Sequence, residues 1–153
     1  MLCLYKHGSF LYLLICLEYE KKRKFLIFGE YLPGQHPYED YRNEYAARRD
    51  QGGGVILGLI HEIDLAYWFF GMPIRVFAVG GKLSDLEMDV EDTASILLQY
   101  DFGGQKVPVH IHLDFVQRPA KRGCEIIGVK GKILWDYHGK ELSIFRSDAN
   151  KWE

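Results

Sequence analysis

The sequence predicts an α+β domain. It should hold a predominantly antiparallel, open β-sheet of about five to six strands, with one long buried helix and one shorter helix packed on a single face. Three observations carry this expectation. The run Val55–Phe70 (VILGLIHEIDLAYWFF) is apolar on almost every side and is closed by Gly71 and Pro73, which is too long for a strand and ends as helices end. Beyond Pro73 the apolar residues recur at every second position, the strand period. The links Phe102–Gln105, Lys130-Gly131 and His138-Gly139 are short and bear glycine, as hairpins require.

Phe10–Leu17 (FLYLLICL) is an apolar run expected to form a strand or short helix on the domain. It is far shorter than the roughly 20 residues that cross a bilayer. No A-x-A-like cleavage site follows it, and the charged stretch Glu18–Lys24 does, which argues against a secretory signal. The basic cluster Lys21–Lys24 is expected on a solvated face or turn. Gly29–Pro37 is turn-rich around Pro33-Gly34. Tyr38–Asp50 reads as the shorter, polar helix, with Tyr38, Tyr41 and Tyr45 on one face. That stripe is either packed on the domain or a ring platform for a sugar-like ligand. Gly52–Gly54 then opens the long helix.

The strands follow. Ile74–Val79 is the first. Thr93–Tyr100 puts Ala94, Ile96, Leu98 and Tyr100 on one face. Val107–Val116 points Val107, Val109, Ile111, Leu113 and Phe115 one way and His110, His112 and Asp114 the other. Glu125–Val129, Ile133–Tyr137 and Leu142–Arg146 complete a meander.

Composition bounds the function. The chain has 153 residues, 48% hydrophobic and 26% charged, with a net charge of −2. That is one domain, or part of a larger protein, and it excludes a disordered or collagen-like chain. A pI near 6.3 argues against nucleic acid as a partner, and nothing marks a membrane segment. Cys3, Cys16 and Cys124 form neither a disulfide framework nor a zinc pattern, which fits a reducing, cytoplasmic setting.

Four groups of residues are candidates for chemistry. The glycines before the long helix, Gly53 and Gly54 above all, leave its first amides open to a phosphate, carboxylate or cofactor ring, or else make a tight turn. GGG is not G-x-G-x-x-G and follows no strand, so it lacks the dinucleotide fingerprint. His61 lies about two turns into the helix, where imidazole can move a proton near neutrality. Gly58 leaves room beside its ring, and Asp64 is placed to orient it. His110, His112 and Asp114 are ligand types on one strand face, but steps of nearly 7 Å keep them from sharing one ion readily, so no metal site is expected. Arg118, Lys121 and Arg122 are either solvated charges or a grip on an anionic or polyhydroxyl substrate.

Taken together, these segments resemble a known family. Gly52–Gly71 (GGGVILGLIHEIDLAYWFFG) is similar to the signature helix of the substrate domain in the glucose–fructose oxidoreductase / inositol dehydrogenase / MocA family. Gly29–Arg42 resembles the loop before that helix in members that handle sugars. Val90–Ala94 (VEDTA) resembles the acidic turn into the next strand, and Cys124–Asp136 the late hairpin.

The resemblance implies a sugar, sugar derivative or polyol as substrate, NAD or NADP as cofactor of the full-length enzyme, and a homo-oligomer formed through the sheet. It implies proton transfer at His61; substrate contacts are expected at Tyr31, His36, Tyr38, Arg42, Asp64, Arg118 and Arg122. The family's helix aspartate usually stands three or four residues before the histidine; here those positions are Gly58 and Leu57. No Rossmann fingerprint or Glu-Lys-Pro lysine is present. The expectation is therefore an atypical leader over residues 1–28 and a truncated substrate domain over 29–153. That domain should lack stable cofactor binding and turnover by itself. The alternative is a non-enzymatic subunit-association or sugar-binding module that uses the open sheet.

Overall fold

The computed structural model describes residues 21–153, with side chains from Lys24 onward. The apolar run Phe10–Leu17 and the first twenty residues of the expected leader lie outside the described residues. Strand β1 (Lys21–Tyr31) leads into a succession of 3-10 turns, Leu32–Gly34, Tyr41–Asn43, Tyr45–Ala47 and Arg49–Gln51. Helices α1 (Val55–Gly58) and α2 (His61–Phe70) follow. Seven further strands complete the chain: β2 (Arg75–Gly81), β3 (Thr93–Phe102), β4 (Gln105–Asp114), β5 (Val116–Gly128), β6 (Gly131–Asp136), β7 (Glu141–Arg146) and β8 (Lys151–Trp152).

All eight strands form one sheet in the order β2-β3-β4-β1-β5-β6-β7-β8. Five to six strands were expected. The difference comes from β1, which the sequence hides in a basic stretch, and from the two-residue edge β8. Strand β1 is parallel to β4, with Leu26 opposite Ile111, and antiparallel to β5, with Leu26 opposite Cys124. The other pairings are antiparallel, as expected. The expected boundary at 28/29 thus falls inside a central strand. Lys24, expected in solvent, is 1% exposed, with its ammonium 5.5 Å from the Phe70 ring centre. Alternation forces this, since Lys24 and Leu26 must share the covered face.

The long helix is corrected to two pieces. Leu59 leaves helical geometry at φ −109°, ψ 36°, and the helical segments on either side are bent by 53°. Gly58 weakens the helix by roughly 1 kcal/mol and sits against Phe115. A Cβ there would stand 3.0 Å from the Phe115 Cζ, so the room expected beside His61 is filled by an aromatic ring. The helix is also less buried than its composition suggests, for Leu57, Tyr67 and Trp68 are each more than half exposed. No single helix among the described residues is long and apolar enough to cross a membrane.

The polar helix over 38–50 is also corrected. Short 3-10 turns replace it, and Tyr38, Tyr41 and Tyr45 do not form a stripe. Tyr38 is 99% exposed, while the Tyr41 hydroxyl accepts from Glu87 N at 3.0 Å. Asp40, an N-cap whose side chain accepts from Arg42 N, favours a turn over continued helix.

The strand periodicity translates directly into the core. Val107, Val109, Ile111 and Leu113 are buried completely or nearly so, and Ala94, Ile96, Leu98 and Tyr100 lie on the same side. Helix α1 packs on β3 and β4, and α2 on β1 and β4. Phe70 meets Tyr100 edge-on at 5.6 Å between ring centres.

Candidate functional site

The last residue of β4 and the first of β5 are separated by Phe115 alone, yet β1 lies between these strands. The chain must therefore cross the end of β1. Buried Asp114 holds the crossing, accepting from Val116 N at 3.0 Å and Gln117 N at 2.7 Å. Phe115 N donates to the Asp92 carbonyl, and Phe115 O accepts from Leu32 N. This junction fixes the helical segment over the C-terminal end of β1, where Tyr31, Arg118 and Arg122 also lie.

The start of α1 is closed by the protein itself. Gly53 N donates to Arg48 O, Gly54 N to Ala46 O and Val55 N to Glu91 O. Ile56 N donates to Glu91 Oε1 at 3.2 Å. Gly54 has φ +108°, and a Cβ on it would run into the Glu91 carboxylate. Both glycines are buried. The Gly53, Gly54, Val55 and Ile56 amides are thus engaged within the protein, as a buried backbone N–H must find a partner.

His61 begins α2 and is exposed, as is Asp64 one turn on. Glu62 points the other way and is 1% exposed. Arg122 Nε donates to Glu62 Oε1 at 2.8 Å. The Arg122 guanidinium also lies 4.7 Å from the Phe28 ring centre and 5.0 Å from that of Tyr137. Burial pushes the Glu62 carboxyl above the usual carboxylate range, and Arg122 pulls part of the way back. Next to this pair, Glu30 is also raised by burial, opposed by a hydrogen bond with Gln35 and by the charges of His138, Arg122 and His36. Cys124 is pushed up to about 12, by burial first and then by the Glu62 charge.

The remaining expected contacts divide. Arg118 stacks over the Tyr31 ring at 4.0 Å, so these two and Arg122 cluster around the end of β1. Arg42 is held by Asp40 through Nε and Nη2 at 2.8 Å each, and by Glu87 at 3.2 Å. Its hydrogen-bonding capacity is directed at the protein's own acids. His36 faces Glu44, with Nδ1 3.3 Å from Oε1. On the strand, His112 Nδ1 bonds Ser95 Oγ at 2.8 Å, and His112 Nε2 lies 3.4 Å from Asp114 Oδ2.

Several residues at the site were not foreseen. Glu62 stood out as an ionisable group in an apolar helix, but its partner lies sixty positions away. Glu30 and Glu91 carried no signal beyond their blocks. Asp92 is completely buried and accepts from Leu83 N, Ser84 N, Ser84 Oγ and Thr93 Oγ1. Burial would raise its carboxyl, but these hydrogen bonds outweigh burial and hold it low.

The profile of the GFO/IDH/MocA C-terminal domain matches residues 27–134. No curated protein sequence matches the chain. Among solved structures, it is similar to UDP-N-acetylglucosamine 3-dehydrogenase from Acidithiobacillus ferrooxidans, at 17% identity and a TM-score of 0.69 over 97% of this chain and 42% of that one. It is similar to levoglucosan dehydrogenase in complex with NADH and levoglucosan, at 15% identity and a TM-score of 0.75 over 94% of this chain and 41% of that one. An inositol dehydrogenase homologue complexed with NAD+ from Azotobacter vinelandii is similar at 12% identity and a TM-score of 0.70, over 88% of this chain and 36% of that one. The chain spans about two fifths of the length of these proteins.

Proposed function

Because the chain belongs to the GFO/IDH/MocA C-terminal domain family, we propose that it is the substrate-binding and subunit-association domain of an NAD(P)-dependent oxidoreductase acting on a sugar, sugar derivative or polyol. The observation that carries the reading is the exposed His61 at the head of α2, whose neighbour in sequence, Glu62, is buried and held by Arg122. Pinning Glu62 fixes the first turn of the helix, and with it the position of His61.

When bound in a complete enzyme, the nicotinamide supplies a two-electron hydride acceptor for the carbinol carbon. The residues of this chain supply the rest. His61 takes the hydroxyl proton as the carbonyl forms. Arg118, stacked on Tyr31, and Arg122 offer N–H donors to hydroxyl or anionic oxygens of the substrate. The sequence has leucine and glycine where the family's acid would stand beside His61. The amides of Gly53, Gly54, Val55 and Ile56 are engaged within the protein. Both points favour a chain that neither holds a dinucleotide stably nor turns over substrate unaided.

The test has two arms. Ligand-observed NMR with polyols, aldoses and nucleotide sugars at about 10 mM reads weak binding of roughly 5 kcal/mol or less. Binding is expected for at least one class, and to weaken several-fold in Arg118→Ala. Absence of binding for every class overturns the substrate assignment. In the second arm, the same panel is incubated with NAD+ and NADP+. Reduction that is lost in His61→Ala overturns the proposed inactivity.

The open sheet face supports the association role. Phe77 and Val79 of β2 are 65% and 61% exposed, beside Leu97 of β3 and Phe25 of β1. Burying such a patch in a second copy is favourable. Sedimentation is expected to show self-association, and a monomer at high micromolar concentration overturns it.

A further inference from the structure

A second polar cluster lies in the loop between β1 and α1, and of its three residues the oxidoreductase reading assigns a role to His36 alone, as a substrate contact. The turn closed by the Glu39 N to His36 O hydrogen bond at 3.0 Å brings His36 and Glu39 together. The chain then passes through the turn Tyr41–Asn43 and folds back, so that Glu44 joins two 3-10 turns in an extended conformation, φ −74° and ψ 150°. As a result, one ligand atom each from His36, Glu39 and Glu44 lies within 4.8 Å of the other two.

Glu44 distinguishes this cluster from an ordinary acidic surface. Its side chain is only 9% exposed, and its buried Oε1 has no hydrogen-bond partner. His36 Nδ1 stands 3.3 Å away without forming a hydrogen bond to it. Glu39 brings a second carboxylate oxygen within 4.8 Å of both groups. A buried carboxylate oxygen without a donor is costly, and a cation between the three groups removes that cost.

We propose that His36, Glu39 and Glu44 form a binding site for a divalent transition-metal ion of the zinc type. One imidazole and two carboxylates match the borderline character of such ions, and their two negative charges neutralise it. Calcium and magnesium prefer all-oxygen shells with more ligands. Donors around a tetrahedral ion stand about 3.4 Å apart, from bonds near 2.0–2.2 Å, so the side chains need to close only slightly from their present separation. His36 and Glu39 are exposed, which leaves a face of the ion open to water and makes it exchangeable. The ion staples the turn at His36 to the turns that carry Arg42 and Tyr45.

Cobalt(II) titrated into the metal-stripped full chain reads the site by its ligand-field absorption. One equivalent should bind saturably. His36→Ala, Glu39→Gln and Glu44→Gln should each weaken it about 10-fold or more, while His110→Ala on the open sheet face should not. Zinc should displace the cobalt and raise the melting temperature of the parent chain but not of Glu44→Gln. Glu39 is exposed, so its variant tests the site even if the Glu44 variant fails to fold. No saturable binding by about 1 mM, where affinity is only about 4 kcal/mol, overturns the proposal. Equal binding in Glu39→Gln and His36→Ala also overturns it, since the metal would then sit elsewhere.

Discussion

Removing the Glu62 carboxylate is the sharpest test of how the helix is held. Glu62 is 1% exposed and Arg122 has 18% of its side chain exposed. Breaking a buried pair from one side costs about 3–5 kcal/mol. Arg122 keeps its contacts with Phe28 and Tyr137 and can turn partly to water, so about 2–3 kcal/mol is expected for Glu62→Ala. For a chain of this size that lowers Tm by roughly 4–12 °C. Glu62→Gln keeps the volume and one acceptor for Arg122, and should cost less than Glu62→Ala. The pH dependence separates charge from shape. The folded carboxyl titrates above its ordinary value of 4.5, so the native state holds its proton more tightly than the unfolded chain. This contribution to stability is fully present below the unfolded pKa and is lost as pH rises through the folded one. The difference in stability between the parent and Glu62→Gln should therefore move toward Gln between acid and neutral pH. Urea unfolding across that range measures it. A loss below about 0.5 kcal/mol for Glu62→Ala, or a difference that moves the other way with pH, refutes the reasoning.

Gly54→Ala should lose at least about 2 kcal/mol, because it combines a φ of +108° with a collision at Glu91; a variant as stable as the parent in the same unfolding assay contradicts this. Cys124, pushed up to about 12, should resist alkylation at pH 8, where only about one thiol in ten thousand is ionised. Site-resolved mass spectrometry after iodoacetamide should find it unlabelled in the native chain and labelled in denaturant, and rapid native labelling contradicts the assignment.

Much of the fold was legible because it rests on local period. Alternation in Val107–Leu113 and Thr93–Tyr100 specified both the strands and their buried faces. The glycine links specified the hairpins β3-β4, β5-β6 and β6-β7. The signature around His61 led to the family, although it read His61 as two turns into one helix and the break at Leu59 puts it at the head of α2. Charge misled where burial overrode it, since Lys24 belongs to a central strand whose alternation points it inward. Composition misled at 55–70, where a glycine against Phe115 accompanies a break in what reads as one helix. At 38–50, capping by Asp40 yields turns instead of a helix.

The sequence by itself therefore determined the class and the inner face of the sheet, because each depends on neighbours within a few positions. Only the tertiary structure decided that β1 inserts between β4 and β5, that Glu91 closes the helix end read as open, and that Glu62 is pinned by Arg122. It alone brings His36, Glu39 and Glu44 to a common point. These are pairings over distance or through irregular turns, and no periodicity encodes which buried donor will meet which acceptor.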